Sequence, residues 1–154
     1  MAHVELSLTE AFDLPEATLD LDSRTTDDSF GRWAATVAAA DEPCLVIDSA
    51  HTIVSASVSC CTLLGLGEPA QAAGLPLLDA GLRLVDFTAA RGELTETEIE
   101  RIPPLLAVTS GRLARGLLRM RGGGDGGGAT VDALATPLFV GGAVAGSLTF
   151  FSPV

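Results

Sequence analysis

Two histidines, three cysteines and no lysine are the side chains this 154-residue chain offers for nucleophilic, metal or acid–base chemistry near neutral pH. A nucleophile needs a basic neighbour to activate it. His3 lies in an acidic leader and His51 in a turn, so neither is placed to serve a Ser or Cys. Cys60 and Cys61 are adjacent in sequence. On a regular helix they point apart, so they cannot share one zinc, which needs convergent ligands. The three cysteines read as small buried apolar residues. A chromophore held through Cys44 is the remaining cysteine chemistry. Asp48, Asp79 and Asp86 could work as acid–base carboxylates, but each falls where a turn or a cap is expected. The run from Gly122 to Gly128 suggests a phosphate-cradling loop. That chemistry requires a helix N-terminus after the glycines, and here a strand pattern follows, so the run reads as a hairpin connection. These residues predict no catalysis and no metal.

Charge narrows the partners. The formal net charge is −11, and every basic side chain is Arg. Nucleic acid is disfavoured as a direct partner, because phosphate binding rests on clustered cations. An odd cysteine count without framework spacing fits a reducing cytoplasm. The N-terminus is acidic where a signal peptide would be basic, and no apolar run reaches membrane-spanning length. A chain rich in Ala, Gly and Arg and devoid of Lys suggests a GC-rich bacterial source.

The elements that position these residues begin with Asp41–Gly67. Cys44–Asp48 reads as an apolar strand, Ser49–His51 as a turn and Thr52–Ser57 as a second strand. Val58–Leu64 reads as a short helix capped by the Ser57 hydroxyl, with Gly65 at the left-handed position past its end. Asp48, Ile53, Ser57 and Gly65 stand at the spacing that opens a PAS domain, and the stretch resembles one, with Ser57 in place of the usual Asn.

The remaining chain continues the resemblance. Thr95-Glu-Thr-Glu98 is a capping box that starts a helix. Pro103 and Pro104 should kink or restart it, and Gly111 should end it. Three strand patterns follow, over 112–121, 129–139 and 143–151, with Gly141-Gly142 as a tight hairpin turn. Pro137 sits in a strand the fold makes internal, so a bulge or an end of pairing is expected there. The order implies an α+β class: a five-stranded antiparallel sheet with helices on one face, preceded by an N-terminal helix. Three segments result: an acidic leader or arm over 1–27, a helix over 28–41 and the PAS-like domain over 42–154. Four Arg between 112 and 121 read either as a solvated outer face or as a patch for the acidic arm. The arm itself reads either as a loose leader or as a segment lying along a partner subunit or effector.

The resemblance implies a sensory or interaction domain serving signal transduction or transcriptional control, without enzymatic activity. It places a cavity between sheet and helices. Leu45, Ile47, Ile53, Leu78, Leu106, Leu118, Leu134 and Leu148 are the expected lining, suited to a small apolar ligand. A carrier protein using that cavity is the alternative. Haem-binding relatives supply a His from the long helix, and light-sensing ones a Cys in an Asn-Cys-Arg-Phe-Leu-Gln motif. Residues 68–111 contain neither His nor Cys, so no cofactor is implied, and the purified protein is expected to show neither a Soret band nor a flavin spectrum. Phe30, Trp33 and Val37 share one stripe of the N-terminal helix. That stripe is the expected homodimer contact, the alternative being that it covers the chain's own sheet. A partner protein or a fused effector domain completes the expected set of partners.

Overall fold

A computed structural model describes residues 29–79, 84–85, 94–120 and 129–154. The acidic leader, the glycine run 122–128 and Asp86 lie outside the described residues. Helix α1 covers residues 29–39. It is followed by β1 (Cys44–Asp48), β2 (Ile53–Ala56), α2 (Val58–Leu64), α3 (Pro69–Ala72) and a 3₁₀ turn (Leu77–Asp79). Then come β3 (Leu84–Val85), α4 (Glu96–Ile99), α5 (Pro103–Ser110), β4 (Ala114–Met120), β5 (Ala129–Val140) and β6 (Ala143–Pro153).

The strands form one antiparallel sheet in the order β2-β1-β6-β5-β4-β3. Five are the expected strands. The sixth, β3, is a two-residue edge strand that pairs Leu84 with Met120. First and last strands meet at the centre, with Leu45 opposite Thr149 and Ile47 opposite Ser147. Gly141 and Gly142 turn β5 into β6 with φ of 59° and 81°, the positive values a two-residue hairpin demands. Pairing of β5 with β4 stops at Ala135, and the register against β6 shifts between Leu138 and Phe139. Pro137 therefore sits past the end of β4 and beside a bulge, where its missing N–H breaks no ladder.

Local chemistry sets the helix ends. Ser57 caps α2, and Gly65 closes it at φ 70°. Thr95 and Glu98 form the reciprocal capping box of α4. Ile102, the residue before Pro103, is extended at ψ 144°, as a following proline requires. The helix accordingly restarts: Pro103 and Pro104 become the first turn of α5, where no N–H is missed, and Gly111 ends it at φ 66°.

Each face of the sheet carries a buried cluster. One cluster, built on Leu45, Ile47, Ile53, Leu118, Val131 and Phe151, packs under the helical middle of the chain. A second, with Cys44, Val46, Leu138 and Leu148, lies on the opposite face beneath Val37 of α1. Ser55 Oγ donates to the Ala34 carbonyl at 2.6 Å and ties α1 to β2. Among the described residues no helix is long and apolar enough to cross a membrane.

Candidate functional site

The inner face of the sheet is where a ligand was expected. Leu45, Ile47, Ile53 and Leu118 meet there in one buried cluster, and half-buried Leu78 packs against it. Three of the expected lining residues lie elsewhere. Leu148 faces outward, in the cluster under α1. Its neighbours Ser147, Thr149 and Phe151 take the inner face of β6, and all three are buried. Leu134 is also on the outer face and exposed, while Ala133 and Ala135 are buried on the inner one. The cause is the same for both strands. When helices pack on both faces, apolarity no longer marks the inside, and the inner positions beneath α5, Gly116, Ala135 and Ser147, are small so that the helix can approach.

That approach is close. A Cβ on Gly116 of β4 would stand 3.4 Å from Pro103 Cγ. Ser147 Oγ donates to the Pro104 carbonyl at 2.9 Å, which satisfies a carbonyl near the start of α5. Pro103, Pro104, Leu105 and Ala107 are the buried residues of this helix. Leu106, the third misplaced residue, is consequently on the exposed flank. Thr149 Oγ1 is buried without a hydrogen-bond partner beneath this packing.

Leu106 instead helps line an open cleft of about 420 Å³, with His51, Thr97, Glu100, Arg101, Leu105 and Thr109. Two leucines give it an apolar wall. The imidazole, a carboxylate, a guanidinium and two hydroxyls give it a polar rim, the mix that holds small ligands. His51 reaches it from the β1–β2 turn with φ 65°, an unusual conformation for a residue bearing a Cβ. Asp48 holds that turn, its Oδ1 accepting from Ala50 N at 2.9 Å and Thr52 N at 3.0 Å. The sequence marks His51 only as a turn residue and hides the cleft, because α4, α5 and the link between them supply the other wall from 46 residues or more downstream in the chain. Among the described residues no three His, Cys, Asp or Glu side chains gather to hold a metal.

All three cysteines are buried and unpaired. Burial raises each thiol pKa above the ordinary value, most strongly for Cys60, where the neighbouring Cys61 and Cys44 add to it. Thiolate is the reactive form. Native protein at pH 8 should therefore leave all three thiols unreactive toward Ellman's reagent on the minutes timescale, and guanidinium should release all three. A fast stoichiometric reaction in native protein would show that one of these sulfurs is open to solvent.

The outer face settles what α1 does with its aromatic stripe. Val37 is 2% exposed and packs in the chain's own outer cluster. Phe30 packs partly against the same cluster. These two expected dimer residues thus cover their own sheet, because the β1 and β6 side chains beneath them are themselves apolar. Trp33 is 45% exposed and remains on the flank of α1. On β4 the arginine run acquires an acid from the next strand: Arg115 grips Asp132 through three hydrogen bonds, the shortest 2.6 Å. The pair holds the Asp132 carboxyl below its usual range.

No protein-family model and no curated protein matches this sequence. Solved structures do. The chain is similar to the PAS domain of a Colwellia psychrerythraea protein, at 18% identity over 81% of this chain and 96% of that one, TM-score 0.55. It is similar to the Rhodobacter sphaeroides LOV protein, at 16% identity over 83% of this chain and 68% of that one, TM-score 0.60. It is also similar to VqmA bound to DPO, at 16% identity over 80% of this chain, TM-score 0.56. There it spans 57% of the neighbour, little more than half its length. The fold is that of PAS domains.

Proposed function

We propose that this PAS-fold chain is a non-catalytic sensory and interaction domain, acting in the bacterial cytoplasm as a homodimer that controls a partner protein or a fused effector. The observation that carries the reading is α1. It rests on the sheet through Val37 and Phe30 and holds Trp33 45% exposed, so one large aromatic is left for a second surface. VqmA supports the reading by analogy: a Vibrio cholerae VqmA dimer is described in the absence of its target DNA, in the setting of LuxR-type receptors. Fully burying a Trp removes roughly 150–250 Å² from water. With about half already covered, a contact on Trp33 would contribute roughly 2–3 kcal/mol gross per protomer, before association entropy.

Sedimentation velocity at tens of micromolar tests this. Wild type is expected to run as a dimer and Trp33→Glu as a monomer with an unchanged circular dichroism spectrum. A monomeric wild type, or a dimeric variant, would overturn the assignment of α1 to the interface.

The carrier alternative fares worse. Its ligand would need the space between sheet and helices where α5 packs onto Gly116 and Ser147. A small ligand that signals rather than travels has the open cleft beside His51.

A further inference from the structure

The outer face is only partly covered by α1. Its cluster reaches Val46, Leu138 and Leu148. Farther along the same face, Leu117, Leu134 and Phe150 are 52%, 38% and 42% exposed. Leu134 is directly opposite Phe150 across β5–β6. Leu117 pairs with Asp132, which puts it diagonal to Leu134 on one face. The three form a continuous apolar stripe over β4, β5 and β6. Its rim on β4 carries Arg115 and Arg119, which alternate with Leu117; among the outward positions of the described β4, β5 and β6 residues these two cations stand with one acid, Asp132, which Arg115 grips. Cations thus outnumber acids at these outward positions of the described strands, in a chain whose formal net charge is −11.

The segment that matches this surface is in the chain itself. Residues 1–28 carry Glu5, Glu10, Asp13, Glu16, Asp20, Asp22, Asp27 and Asp28 against Arg24 alone among Arg and Lys. Leucines alternate with polar residues at Leu6, Leu8 and at Leu19, Leu21. In extended chain each pair would present both leucines to one side. The segment joins α1, which lies on this same face, and 28 residues reach at most roughly 90 Å when extended, ample for a sheet whose strands are about 4.8 Å apart. We propose that the acidic N-terminal segment docks in cis on the open outer face, its leucines on the Leu117–Leu134–Phe150 stripe and its carboxylates toward the arginines of β4. The homodimer reading is not needed for this.

Arg24 makes the docking measurable, as the one site where trypsin can cut the segment. When docking is fast, cleavage tracks the undocked population, so a docking constant of about 10 slows the cut about tenfold. The full-length chain is digested in 50 mM salt and cleavage after Arg24 is followed by mass spectrometry, normalised to a free peptide of residues 1–28. Leu134→Asp and Leu117→Asp are expected to speed the cut about tenfold, and 0.5 M salt to speed it in wild type but not in the variants. Circular dichroism checks their folding; should either variant unfold, Arg119→Glu on the rim replaces it and is expected to act in the same direction. Equal rates in wild type and folded variants would overturn the proposal. So would protection that appears only as protein concentration rises, which would put the segment or the stripe against a second copy.

Discussion

A Gly146→Ala chain should melt about 10–15 °C below wild type, or fail to fold cooperatively. Gly146 lies in β6 between Asp48 of β1 and Leu138 of β5. A Cβ built there overlaps the Ile47 carbonyl oxygen, and stands 2.9 Å from Ile47 C and 3.0 Å from Asp48 Cα. All three atoms are backbone, so no side chain can rotate away. Relief requires β1 to move from β6, which breaks the central pairing and displaces Ile47, a fully buried member of the inner cluster. Overpacking of this kind costs about 3–5 kcal/mol, and in a chain of this size each kcal/mol is worth about 3 °C. Gly31→Ala in α1 is the control, because its Cβ would meet nothing within 4 Å. Helix propensity there favours Ala by about 0.5–1 kcal/mol. Thermal unfolding by circular dichroism measures both. A Gly146→Ala midpoint within about 3 °C of wild type would mean that β1 and β6 are free to separate at this point.

Gly146 illustrates what the sequence withholds. A glycine inside a strand pattern signals a close backbone approach or a bulge, but not which strand approaches. Signals that act within a few residues were legible: Asp48 holding its turn, Ser57 and Gly65 bounding α2, the Thr95–Glu98 box, the proline restart of α5 and the Gly141–Gly142 hairpin. Together they were enough for the element order and the PAS-like sheet. Side-chain facing was not legible where two helices compete for one sheet. β6 alternates Leu148 and Phe150 with Ser147 and Thr149, and solvent exposure alone would send the apolar set inward. The inner helix reverses that, since α5 needs small or hydroxyl residues beneath its proline turn, while α1 needs Leu148 on the other side. The cleft was illegible for a related reason: His51, Thr97 and Leu106 carry no common periodicity and meet only once the sheet has closed.

Ser57→Ala is expected to lower the melting temperature by about 6–12 °C, the second largest effect foreseen. The residue has no exposed surface. Its backbone N–H donates to the Cys44 carbonyl at 3.0 Å. Its Oγ accepts from Cys44 N at 3.1 Å and from Cys60 N at 3.2 Å, and donates to the Glu42 carbonyl at 2.7 Å. One hydroxyl thus joins the loop before β1, the start of β1 and the first turn of α2. Alanine keeps the backbone bond and removes these three, together with a 3.3 Å contact to Ser59 Oγ. Loss of a helix N-cap alone costs about 1 kcal/mol. Here Cys44 N–H and Cys60 N–H also lose their acceptor in a buried site, and an orphaned buried donor costs about 1–3 kcal/mol. Cys44 and Cys60 are both buried, so water cannot readily replace the hydroxyl, and a total of about 2–4 kcal/mol follows. Ser59→Ala removes only the 3.3 Å Ser59 contact of that hydroxyl and leaves its bonds to Cys44, Cys60 and Glu42, so it isolates those three. Ser59 Oγ donates to the Asp41 carbonyl at 2.7 Å from a more exposed position, and its removal should cost less than about 1 kcal/mol. Denaturant titration of the two variants, with wild-type slope as the check on two-state behaviour, gives the difference directly. Equal stabilities for Ser57→Ala and Ser59→Ala would show that the Ser57 hydroxyl does not hold β1 to α2.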